Sequence, residues 1–200
     1  MERKSLKDRI KPIVYPIINF IPRRRLKNKI FTIICDNCWA GKVYQELGLP
    51  YQTPFVGMFV FSPDYIKMLK NLKHYLSGNI PLTFVKKSKY IKDFDNAYPL
   101  ALLDDIEMHF SHYADEEEAT QKWNRRLERI HWDNLYFKFN DIDVCTYELM
   151  KGFEELPKLL LKKRTKLLCV NDDLGMTEDD LKKFSKILSE RYPEKSQFEL

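Results

Sequence analysis

Ile33-Ile34-Cys35-Asp36-Asn37-Cys38-Trp39 is a β-branched run that ends in a polar, thiol-bearing turn, and a helix-like stretch follows it as far as Leu47, where Gly48 and Pro50 stop it. A strand (Lys29 to Cys35) that runs directly into a helix is the unit from which α/β sheets are wound. A thiol at such a turn lies near unpaired N–H groups at the helix start, which stabilise a thiolate and any oxyanion beside it.

Working outward, Phe55 to Phe61 reads as a second apolar strand. Ser62-Pro63-Asp64 then opens a helix, with Ser as the cap, Pro in the first turn, and Ile66, Leu69, Leu72 and Leu76 on one face up to Gly78. Leu82 to Lys86, Tyr98 to Leu103 and Ile106 to Phe110 are strand candidates. Asp115 and Glu118 have capping-box spacing ahead of Ala119, Trp123, Leu127 and Ile130. Leu135 to Phe139 reads as a strand, a Thr146-capped helix runs toward Phe153, Leu167 to Val170 is the last strand, and Thr177 with Asp180 opens a final helix. The pattern predicts an α/β fold: a single domain over 28–200, with a mixed or mostly parallel sheet flanked by helices, behind a separate arm at 1–27. Ligands of open α/β sheets gather at the carboxyl ends of the strands. Three polar clusters follow such ends here: Cys35 to Cys38, Asn140 to Asp143, and Asn171 to Asp173.

Composition narrows the function. The 34 Lys+Arg against 29 Asp+Glu leave a net charge of +5, concentrated in the first 30 residues, which is too small an excess for a dedicated nucleic-acid binder. Four cysteines at 35, 38, 145 and 169 lack the spacing of a disulfide framework, and no signal-peptide pattern precedes them, so a cytoplasmic location is expected. They also lack the second close pair of a structural zinc site. No apolar run reaches the roughly 20 residues needed to cross a bilayer. The arm places an apolar centre, broken by Pro12, Pro16 and Pro22, between basic flanks. Such a segment suits either peripheral contact with an anionic membrane surface or packing against the domain. There is no P-loop, no G-x-G-x-x-G and no G-x-S-x-G, which disfavours nucleotide hydrolysis, dinucleotide cofactors and the standard α/β-hydrolase mechanism.

The chemistry-bearing residues fall into a few groups. Cys38, with His109 or His112 as base and Glu107 or Asp105 to orient it, supplies the three residue types of a Cys–His arrangement. Strand alternation puts Asp105, Glu107 and His109 on one face, which is costly unless that face meets a cleft or the charges are paired. Asn37 and Trp39 would line the same centre. On the next helix, Trp123 is a substrate-binding candidate, and the guanidinium groups of Arg125, Arg126 and Arg129 could clamp an anionic donor, or form a solvated face paired with Glu116, Glu117, Glu118 and Glu128. Asp141 and Asp143 offer hard oxygen ligands for Mg²⁺ or Mn²⁺ against a sugar nucleotide, the alternative mechanism; no resident metal is assigned in the leading one.

These blocks together resemble a bacterial family known as domain of unknown function 1919. The likeness rests on Cys35-Asp36-Asn37-Cys38-Trp39-Ala40-Gly41, Pro54-Phe55-Val56-Gly57, Asp64-Tyr65-Ile66, Asp105 to Phe110 with His112-Tyr113, Lys122 to Arg126, and Asp141 with Asp143 and Cys145 to Glu148. Members are often labelled exopolysaccharide or capsule biosynthesis proteins. The resemblance therefore implies a transferase moving a glycosyl or acyl group from an activated anionic donor to a glycan or lipid-linked intermediate. A non-catalytic, membrane-docked scaffold of glycan assembly is the reading of a different class.

Overall fold

The computed structural model describes residues 28–140, 144–160 and 166–169. The N-terminal arm, Asp141, Asp143 and the helix expected after Thr177 lie outside the described residues. The chain divides into two compact units, of which the larger takes Ile30–Gly41 and Tyr51–Gly175.

In the larger unit, β1 (Thr32–Cys35), β5 (Leu135–Phe139) and β6 (Lys166–Cys169) form a parallel sheet in the order β1-β5-β6. Cys35 stands opposite Lys138 in register. A second, antiparallel sheet joins β2 (Leu82–Phe84), β3 (Leu100–Leu103) and β4 (Ile106–His109). The helices are α1 (Trp39–Glu46), α2 (Ser62–Lys70), α3 (Leu72–Tyr75), α4 (Glu116–Leu127) and α5 (Tyr147–Leu160). The chain is thus mixed α/β, with a parallel and an antiparallel sheet flanked by helices.

Every residue of β1, β4 and β5 is buried, as expected of strands covered on both faces. α1 starts where Asn37 Oδ1 accepts the backbone N–H of Trp39 at 3.0 Å. Within the smaller unit it ends in a paired turn: Gly48, at φ 60°, donates to Gln45 O, and Leu49 donates to Tyr44 O. This 5→2 and 6→1 pattern is the Schellman motif, and it needs the left-handed conformation that glycine adopts freely.

Several expected boundaries move. Phe55 to Phe61 is not a strand: Gly57 turns the chain at φ 71°, α2 begins at Ser62, and only Phe59 is left to pair with His109, exchanging two hydrogen bonds of 3.0 Å. β3 starts at Leu100 because Pro99 has no N–H to give a ladder. Ser62 is the first helical residue rather than a cap, and the position before it, Phe61, offers no side-chain bond. The helix meant to run to Gly78 breaks at Asn71. The capping box at Asp115 forms: its carboxylate takes Glu118 N–H at 2.7 Å, while Glu118 reaches back to Ala114 N–H at 2.8 Å.

Candidate functional site

Two buried polar clusters stand on either side of α2, whose first turn supplies one residue to each. Asp64 faces the antiparallel sheet. Its carboxylate accepts Glu107 N–H at 2.6 Å and Tyr90 O–H at 2.9 Å, and pairs with Lys89 Nζ at 2.6 Å. Glu107, 1% exposed, accepts from Ser88 Oγ at 2.6 Å, Lys89 N–H at 2.7 Å and His109 Nε2 at 2.8 Å. Ser88 Oγ in turn accepts Tyr90 and Ile91 N–H groups, so one turn of chain closes around both carboxylates. Burying two carboxylates is tolerable only because each has several donors.

His109 is wholly buried and stacked on Phe59, ring centres 4.5 Å apart. With Nε2 on Glu107, its Nδ1 lies 3.1 Å from Tyr98 Oη. The arrangement that satisfies both ends has Nε2–H donating to the carboxylate and Nδ1 accepting the phenol proton. Burial, with Asp95 and Glu107 nearby, raises the Tyr98 pKa and keeps it a phenol. Tyr98 also stands in the wall of a cleft of about 250 Å³, which Lys86, Pro99, Asp115 and Glu116 help to line. Acid, imidazole and hydroxyl thus form a line whose outermost residue, Tyr98, is one of those that line the cleft.

The second cluster occupies the carboxyl edge of β1 and β5. Asp36 Oδ2 accepts Asn140 N–H at 2.9 Å. Lys138 Nζ donates to Asn140 Oδ1 and lies 5.4 Å from the centre of the Trp39 ring. Tyr65 Oη bridges the two strands, reaching Ile34 O at 2.9 Å and Lys138 O at 2.8 Å. Cys35 is sealed here, its thiol donating to Asn37 O; burial, reinforced by Asp36, pushes it up to about 12. Cys38 is exposed at the head of α1.

The residues singled out in the sequence therefore separate. Glu107 and His109 pair as alternation predicts, but both ring nitrogens of His109 are occupied, and the hydroxyl they serve is Tyr98, not the Cys38 thiol. The backbones of the two regions do approach, since Val60, next to the Phe59 bridge, donates to Asp36 O at 2.7 Å. Asp105 precedes β4 in a turn where Asp104 is left-handed, and its carboxylate holds Lys67 and Tyr75 instead of an imidazole. His112 is exposed, and its backbone N–H donates to Gly57 O at 3.0 Å. Trp123 is 0% exposed, set edge-on to Phe55 and Phe110, which makes it a core residue. Arg126 turns inward, donating to Val56 O and Tyr113 Oη and lying over the Tyr51 ring, while Arg125 and Arg129 stay outside. The three arginines thus do not form one clamp: Arg126 is committed to Val56 O and Tyr113 Oη, while Arg125 and Arg129, which lies past the end of α4, are exposed. Among the described residues no group of three His, Cys, Asp or Glu could hold a metal, and no helix is long and apolar enough to cross a membrane.

Asp64, Ser88, Lys89, Tyr90, Tyr98 and Lys138 did not stand out in the sequence. Asp64 reads as an ordinary first-turn acid, and Lys138 as the polar member of an alternating strand. Residues 88–98 carry no periodicity to mark them. The one available signal was the acid-rich β4 itself, since a buried Glu107 demands donors from elsewhere in the chain.

A family profile described as a domain of unknown function (DUF1919) matches residues 9–166. An uncharacterized protein of Haemophilus influenzae is 36% identical over 140 residues, which are 70% of this chain. The match spans 64% of that relative, less than two thirds of its length.

Proposed function

The chain belongs to the DUF1919 family, and from that premise we propose that it is a transferase of bacterial exopolysaccharide or capsule assembly, moving a glycosyl or acyl group from an activated donor to a hydroxyl of a glycan or lipid-linked acceptor. One observation carries the reading: the line Glu107–His109–Tyr98, with contacts of 2.8 and 3.1 Å, that ends at the wall of a cleft. In this reading the acceptor hydroxyl gives its proton to Tyr98 Oη as the phenol proton passes to His109 Nδ1, and Glu107 holds the resulting imidazolium. Placing the acid behind the imidazole fixes the tautomer and stabilises the charged form, as in other acid–imidazole–hydroxyl sets.

The test uses purified protein with membranes from a strain lacking it, following incorporation of labelled sugar and acyl groups into surface glycan. Tyr98→Phe and His109→Gln are expected to lower transfer by about 10²- to 10⁴-fold, the range of a lost acid–base group. Full transfer in both variants would end the reading. Cys38→Ser, run in parallel, separates a direct transfer from one through a thioester, because only the second needs the thiol.

A further inference from the structure

We infer that the carboxyl edge of the parallel sheet holds an anion pocket built on Lys138 and Asn140, which takes the phosphoryl group of an activated donor. Naming the ligand a donor rests on the transferase reading; the pocket itself does not. Lys138 is 1% exposed, and an ammonium is costly to bury unless its protons find acceptors. Of its three protons, one goes to Asn140 Oδ1, and the Trp39 ring meets the cation from one side. The other two have no acceptor among the described residues.

Asn140, 0% exposed, repeats the imbalance: its Nδ2 is buried without a hydrogen-bond partner among the described residues. Orphaned buried donors are rare enough to need a cause. Here two donors from one strand end point to a missing acceptor. One oxygen of the neighbouring Asp36, Oδ2, accepts the Asn140 backbone N–H. The location adds a second argument: these groups sit at the carboxyl ends of parallel strands, facing the start of α1, where helix dipole and sheet topology both favour an anion. Phosphoryl oxygens supply several acceptors and negative charge at once, which one carboxylate does less fully. Just ahead of Trp39, Asn37 is half-buried and Cys38 exposed, which puts a reporter thiol on the turn beside these groups.

The full chain is titrated calorimetrically with inorganic pyrophosphate, phosphate and acetate, while alkylation of Cys38 is timed by mass spectrometry. Saturable pyrophosphate binding that slows Cys38 alkylation several-fold is expected, with acetate much weaker. Lys138→Met, which fills the same space without a charge, is expected to weaken pyrophosphate more than tenfold while keeping the thermal midpoint. Absence of saturable binding in the native protein, unchanged affinity in Lys138→Met, or acetate equal to pyrophosphate would each overturn the pocket. If Lys138→Met fails to fold, Asn140→Asp takes its place, since an added negative charge must repel the anion; undiminished affinity there is equally fatal. Binding is read without turnover, so loss of transfer in His109→Gln with pyrophosphate binding intact would separate this pocket from the acid–base line.

Discussion

Cys35 and Cys38 are three positions apart and chemically opposite. The first is buried, with its thiol pushed up to about 12, so at pH 8 only about one molecule in ten thousand carries the thiolate there. Brief treatment with iodoacetamide at pH 8 should therefore label Cys38 and leave Cys35 unmodified until the protein is denatured, as peptide mass mapping will show; equal labelling of both in the native state would contradict the packing of β1. The family resemblance favoured Cys38 as the nucleophile candidate, whereas strand alternation put Glu107 and His109 on one face, an inference that needs only local geometry. The sequence could not reveal what His109 serves. That depends on Tyr98, eleven positions away and just ahead of the β3–β4 hairpin, and on Phe59, whose stacking fixes the ring plane.

At the level of elements, periodicity and caps carried the information. β5 falls where its aromatic content predicts, and α4 begins at its capping box. The misread element was the run Phe55 to Phe61, where hydrophobicity reported burial correctly but said nothing of Gly57. At that glycine φ is 71°, and an added Cβ would stand 3.2 Å from His112 Cβ and 3.3 Å from a Tyr113 ring carbon. Gly57→Ala should thus combine backbone strain of roughly 1–2 kcal/mol with crowding, lowering the urea midpoint without changing the slope. The turn before β4 offers a pH test. Lys67 holds the Asp105 carboxyl below the usual carboxylate range. Because the folded value is the lower one, the stabilisation is present above the unfolded value, about 4, and disappears as pH falls through the folded one. Asp105→Asn should melt slightly below the native protein at pH 7, and the two should converge near about pH 2; both partners are half exposed, so the gap will be small.

Across the whole molecule, two sheets that share no strand are tied through the first turn of one helix. The α/β class was legible because strands and helices alternate along the chain, but the split into a parallel and an antiparallel sheet was not, since pairing partners are set by long-range packing and not by local pattern. Tyr65→Phe removes the hydroxyl that spans Ile34 O and Lys138 O while keeping the ring against Phe139 and Phe153. A loss of about 1–3 kcal/mol in unfolding free energy is expected from denaturant titration, the cost of leaving buried carbonyls without a donor. Asp64 and Tyr65 are sequence neighbours, yet one receives the amide of Glu107 and the other latches the ends of β1 and β5. A fluctuation that lifts this turn must release both at the same instant. In deuterated buffer the Glu107 amide, in the antiparallel sheet, and the Asn140 amide, one residue past the end of β5, should consequently trade their protons in synchrony, although they lie 33 positions apart.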